Sequence, residues 1–160
     1  MNRREFLAAA SAALAFTAGD SGAASARVDW SDVELLDGRI LRSEALRGRA
    51  VVVEFWASYC PFCQRQNPVL QRLYEAQRGR GLEVLTFSVD SDSAKARAYM
   101  AEHGYSFPAA MAGAASERWF GSHKALPELF VVASDGRIVF HDAGEMFPED
   151  ILGLARFARQ

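Results

Sequence analysis

The amino-acid sequence predicts an α/β fold, a central mixed sheet flanked by helices, on three observations. An uninterrupted β-branched and aromatic run over 50–57 leads straight into a helical pattern over 60–78. A second strand-like run over 82–89 and a second helical pattern over 93–103 repeat that order. Two more strand-like segments, joined by Ser134-Asp135-Gly136, then precede a last helix. Successive strand and helix units favour parallel pairing through a crossover, whereas a short turn permits only antiparallel pairing, and both kinds are expected here.

Of 160 residues, 50% are hydrophobic and 24% charged, the composition of one globular domain with a substantial core. Residues 1–26 read as an export leader: Arg3 and Arg4, a charge-free and Ala-rich stretch over 6–18, then small residues ending Ala24-Ser25-Ala26. The stretch is shorter than the roughly 20 apolar residues that a membrane span needs, and cleavage is expected after Ala26. The arginine pair followed by Phe6-Leu7 resembles a twin-arginine signal, with an ordinary secretory signal, or an uncleaved anchor or chance cytosolic N-terminus, as the alternatives. The folded unit is then 27–160. The leader carries two arginines against Glu5 and Asp20, so the folded unit keeps the chain's net charge of −2. With no block of like charge, nucleic acid is not expected as a partner.

Within the folded unit, 27–48 is mixed and polar, and 35–41 around Asp37-Gly38 reads as a short hairpin, an N-terminal extension of the domain. Residues 50–57 show no alternation, the pattern of a central strand buried on both faces, with Glu54 as its one charge. Over 60–78, Leu70, Leu73 and Tyr74 fall at helical spacing, Pro68 marks an internal kink and Gly79 a stop. Residues 82–89 form the next strand. Over 93–103, Ala96, Tyr99, Met100 and His103 make an apolar stripe ending at Gly104. A loop around Pro108 and a short helix near 116–120 lead to strands at 128–133 and 137–141. Pro148, Glu149 and Asp150 open the last helix, whose apolar face is Ile151, Leu154, Ala155 and Ala158.

The chemistry lies in Cys60-Pro61-Phe62-Cys63, at the junction of a buried strand and a helix. A cysteine at a helix N-terminus meets unpaired N–H groups and the positive end of the helix dipole, both of which favour a thiolate, so Cys60 is the expected nucleophile. Cys63, one helical turn on, is placed to attack a mixed disulfide formed by Cys60 and to release the product. A disulfide between them closes too small a loop to stabilise the fold much, which points to chemistry rather than stapling. A zinc site is disfavoured, because these are the two cysteines of the chain and His103, His123 and His141 are scattered.

The segment Phe55-Trp56-Ala57-Ser58-Tyr59-Cys60-Pro61-Phe62-Cys63, with Pro68 five residues beyond, resembles the active-site segment of thioredoxin-fold proteins. Within them the chain is similar to the TlpA/ResA-like exported thiol:disulfide oxidoreductases, which include the thioredoxins of cytochrome c maturation. The likeness runs from about residue 50 to 139 and takes in an insert around Ser106-Phe107-Pro108 and the closing Leu126-Pro127 and Asp135-Gly136-Arg137-Ile138. It implies a cis proline at Pro127 beside the cysteines, with the main chain of Leu126 free to pair with a substrate; the bland alternative is a trans proline opening an edge strand. Glu54, six residues before Cys60, stands at the place of the buried acid of thioredoxin, where many TlpA-like chains have Asn. Burial raises a carboxyl pKa, so Glu54 is read as an acid/base for Cys63, or else as a structural carboxyl. Gln66 stands where ResA-like members usually have Glu. Trp56 and Tyr59 are read as an aromatic wall of the substrate site, with core packing as the other reading of Trp56, and Pro61 and Phe62 as substrate-facing.

The resemblance implies a periplasmic protein-disulfide reductase that needs no cofactor beyond the redox-active Cys60–Cys63 disulfide. Its expected partners are exported clients such as apocytochrome c or copper-site proteins, and a membrane thiol reductant such as a DsbD- or CcdA-like donor; a monomer is expected. Phe62 offers no donor or charge to a Cys60 thiolate, which favours a reducing over a strongly oxidising pair. The alternatives are a disulfide-forming oxidant or isomerase, and, from another class, a Sco-like copper-binding metallochaperone.

Overall fold

The computed structural model of the chain describes residues 27–159; the expected export leader and its expected cleavage after Ala26 lie outside the described residues. Two short strands come first, β1 (Val33–Glu34) and β2 (Ile40–Leu41), paired antiparallel around the Asp37-Gly38 turn. Gly38 sits at φ +82°, a backbone geometry that a side chain would strain. A single 3-10 turn, Ser43–Ala45, connects to the sheet proper.

All seven residues of β3 (Ala50–Trp56) are buried. β3 leads into α1 (Pro61–Gln77) and returns through β4 (Leu82–Ser88), which pairs parallel with β3, Val52 opposite Val84. α1 runs unbroken through Pro68, and the Arg78 N–H closes it on the Tyr74 carbonyl. α2 (Ser93–His103) starts at Asp92, whose side chain accepts from the Ala94 N–H at 2.8 Å, and stops at Gly104, φ +64°. Next come β5 (Ala109–Met111), α3 (Ala114–Phe120), β6 (Glu128–Val132) and β7 (Ile138–Ala143). The strand order is β5-β4-β3-β6-β7, parallel from β5 to β3 and antiparallel from β3 to β7. The mixed sheet predicted from sequence is present.

Three local assignments change. β5, read as a loop, is a short parallel edge strand held by its pairing with Thr86, Phe87 and Ser88, a tertiary contact that three small or flexible residues do not announce. The last helix is α4 (Pro148–Gly153) followed by a 3-10 segment, Leu154–Arg159. With three residues per turn, Ile151, Leu154 and Phe157 share the buried face, while Ala155 and Ala158 are only partly covered. His103, placed on the apolar stripe of α2, is exposed, its Nδ1 2.9 Å from the Tyr99 carbonyl oxygen.

Strand alternation divides the core. Val51, Val53 and Phe55 face the N-terminal segment and Trp119 of α3, whereas Ala50 and Val52 face Leu70 and Leu73 of α1 and Ile151 of α4. Glu54 shares the parity of Val52 and is therefore aimed at α1. At the far end of β3, Trp56 and Ala57 pack with Cys60, Cys63, Ala96 and Tyr99.

Candidate active site

Cys60 is the N-cap of α1 with Pro61 at the first helical position, a residue whose fixed φ suits a helix start and whose missing N–H is no loss there. The Cys60 sulfur accepts the main-chain N–H of Cys63 at 3.2 Å. The two cysteines are joined as a disulfide, with Cα atoms 5.3 Å apart. Cys63 is fully buried, whereas Cys60 retains 6% exposure, so Cys60 is the sulfur that an incoming molecule reaches.

The loop before the motif is held by Asp90 at the end of β4. Its carboxylate accepts from the Ser58 N–H at 3.0 Å, the Ser58 hydroxyl at 2.6 Å and the Ser88 hydroxyl at 2.7 Å. Around the cysteines, Tyr59 and Phe62 are 67% and 51% exposed, and Pro61 is also exposed. Arg65 lays its guanidinium 4.9 Å from the centre of the Phe62 ring and grips Glu145 with two hydrogen bonds of 2.8 and 2.7 Å. Trp56 is not part of that surface: it is fully buried, donates its indole N–H to Thr86 Oγ1 at 3.0 Å and packs on Tyr99, so it backs the cysteines and cannot touch a client.

The Leu126–Pro127 peptide is cis. Pro127 is buried at the start of β6, and Leu126 packs half-buried against the cluster that holds both cysteines. His123 stacks on Phe55, with ring centroids 5.9 Å apart.

On the α1-facing side of β3, Glu54 is fully buried, its carboxyl pushed up to about 8 by the loss of hydration, with the Gln66 amide opposing that shift. Gln66 accepts the Met146 N–H at 2.8 Å through Oε1, but its Nε2 makes no hydrogen bond of good geometry; it and Glu54 Oε2 are the buried side-chain atoms without a partner among the described residues. Asn67, also fully buried, spans the gap between acid and helix. One end of its carboxamide lies 3.3 Å from the Tyr99 hydroxyl and the other lies 3.0 Å from Glu54 Oε1 and 3.2 Å from the Cys63 carbonyl oxygen. A peptide carbonyl only accepts, so the amide nitrogen belongs at the Cys63 and Glu54 end and the oxygen at Tyr99.

The structure thus brings Cys60, Cys63, Glu54, Tyr59, Pro61, Phe62 and Leu126-Pro127 to one end of the sheet. Sequence reasoning passed over Asn67 and Asp90. The signal for Asn67 was present: Cys63, Gln66, Asn67 and Leu70 form one helical stripe, and two carboxamides on a stripe that buries itself need polar partners. Asp90 carried no such signal, because its partner Ser58 lies 32 positions away.

A redox-active cysteine pair at a helix N-terminus on this fold defines a thiol:disulfide oxidoreductase. The chain belongs to the Redoxin family, whose model matches residues 10–153. The thiol-disulfide oxidoreductase ResA of Bacillus thuringiensis (strain Al Hakam) is 25% identical over 123 residues, spanning 76% of this chain and 70% of ResA. The thiol:disulfide interchange protein of Chlorobium tepidum TLS, a thioredoxin family protein, shares the fold with a TM-score of 0.77 at 23% identity, covering 85% of this chain and 97% of its own. A secreted Mycobacterium tuberculosis disulfide oxidoreductase superposes with a TM-score of 0.66 at 19% identity, covering 78% and 93%. The resemblance to TlpA/ResA-like proteins read from the motif therefore stands.

Proposed function

We propose that this protein acts in the reducing direction, as an exported protein-disulfide reductase of the periplasm. The observation that carries this reading is the engagement of Arg65, the cation closest in sequence to the motif, by Glu145. With that charge neutralised and Phe62 supplying no donor, the Cys60 thiolate gains its stabilisation from the Cys63 N–H and the helix terminus. A moderately stabilised thiolate keeps the reduced form from becoming the strongly favoured one, and so keeps the pair a reductant.

In the reaction, the Cys60 thiolate attacks one sulfur of a client disulfide, and the other client sulfur leaves with the electron pair and takes a proton from water. Cys63 then gives its thiol proton to the Glu54 carboxylate, attacks the Cys60 sulfur and expels the second client thiolate. The client gains two electrons and the Cys60–Cys63 pair loses them, so no cofactor is needed. Leu126, which makes no main-chain hydrogen bond among the described residues, offers its backbone to an extended client, and Tyr59, Pro61 and Phe62 provide apolar contact. A membrane thiol reductant of the DsbD or CcdA kind would restore the dithiol. The arginine pair of the leader supports export by the twin-arginine route, and apocytochrome c or a copper-site cysteine pair is the expected client class.

The test is the reduction potential of the pair in glutathione or dithiothreitol buffers, together with thiol trapping in cells. A potential below about −200 mV with the pair mostly reduced supports the reading; one near about −120 mV with the pair trapped oxidised makes the protein a disulfide donor instead.

A further inference from the structure

Asn67 spends both of its N–H groups on the reacting unit, one on the acid and one on the carbonyl of the resolving cysteine. Glu54 has no other well-formed hydrogen bond among the described residues, since its Oε2 is unpartnered. A donor held against a buried carboxyl favours the ionised form, and an ionised Glu54 is what the resolving step consumes. The Cys63 carbonyl, which only accepts, fixes which way the amide points, and the Tyr99 hydroxyl is left to donate to the amide oxygen.

We propose that Asn67 is a positioning residue for the resolving step, holding the Glu54 carboxylate beside Cys63 and stabilising its charge until it takes the thiol proton. This rests on the reading of Glu54 as the proton acceptor. The groups around Glu54 are Gln66 from α1, Asn67 from α1, whose amide also reaches the Cys63 carbonyl, Tyr99 from α2, Tyr105 beyond it, and its strand partners Thr86 of β4 and Leu129 of β6. Burial pushes both phenols upward, so near neutral pH neither hydroxyl gives up its proton at this site.

The experiment uses the full chain. In the oxidised protein, Glu54 is titrated by carbon-13 NMR of its carboxyl. In the reduced protein, reaction with Ellman's reagent places a chromogenic thiol on Cys60, and its release by Cys63 is followed by stopped flow from pH 6 to 9. Asn67→Leu is expected to raise the Glu54 midpoint and to slow release about tenfold at pH 7, with the deficit shrinking as pH rises. In an E54Q background the same substitution should add nothing. An equal slowing at every pH, an unmoved midpoint, or further slowing in E54Q overturns the proposal. If E54Q itself shows the wild-type pH profile, the acid reading fails and the proposal falls with it, whereas an altered E54Q profile beside an unaltered N67L profile sinks the proposal alone. Asn67→Met, flexible and apolar, serves the same test if the leucine variant does not fold.

Discussion

The Cys60 sulfur takes the main-chain N–H of Cys63 at 3.2 Å, so the first turn of α1 points a donor at the atom that becomes charged on reduction. The reduced protein should therefore show one thiol titrating below the free-cysteine value of about 8.5, read as thiolate absorbance in the ultraviolet. Cys60→Ser should remove that titration and all turnover. Cys63→Ser should keep the first attack and accumulate a mixed disulfide, visible by mass spectrometry; a C63S protein that turns over normally would contradict the assignment of the resolving thiol.

Glu54 makes the stability of the oxidised protein depend on pH in an unusual sense. Its carboxyl titrates at about 8 when folded against a reference of 4.5. Below the lower value both states are protonated and burial costs no ionisation. Between the two, the unfolded chain gives up the proton that the folded chain keeps, so stability falls by roughly 1 kcal/mol per pH unit from this group and levels off above the folded value. Urea titrations of the wild type should show that decline from pH 5 to 8, and E54Q should flatten it.

The residues that wrote themselves into the sequence are those whose signals are local. β3 declared itself by seven consecutive buried positions, and the cysteine pair by its place at the strand-to-helix junction. Glu54 was legible as a charge inside an apolar run. What sequence could not supply was depth and partnership. For Trp56 the sequence left substrate wall and core packing open, and the core reading holds because the end of β3 is covered by Tyr99 and Thr86, contributed by other elements. β5 exists because β4 offers an edge, and the 3-10 close of the chain because Ile151, Leu154 and Phe157 must reach one core.

Asp90 ties the loop before the nucleophile to the end of β4 through three hydrogen bonds, two of them to Ser58. Asp90→Ala leaves buried donors unpaired and should cost about 2 kcal/mol or more in urea denaturation. The Ser58 hydroxyl and N–H both lose their anchor, so the attack rate of Cys60 on a small disulfide should also fall. Ser58→Ala, which removes one of the three bonds and keeps the N–H contact, should cost less in both measurements. Equal costs for the two variants would show that the carboxylate acts through the Ser58 hydroxyl alone.

Phe62 stands between the cysteines with its ring under Arg65, half exposed and without a polar atom. Phe62→His would place a hydrogen-bond donor, partly charged near neutral pH, in the turn that carries the Cys60 sulfur. A donor or cation there stabilises the thiolate, which belongs to the reduced form, and stabilising the reduced form makes the pair more oxidising. The potential should rise by about 30 mV for each factor of ten gained by the dithiol, and the Cys60 titration should move down in step. The His effect should also weaken as pH rises through the usual imidazole range and the charged fraction is lost. A potential unchanged by F62H across that range would mean that the residue between the cysteines does not reach the sulfur, and that the reducing character proposed here must come from elsewhere in the site.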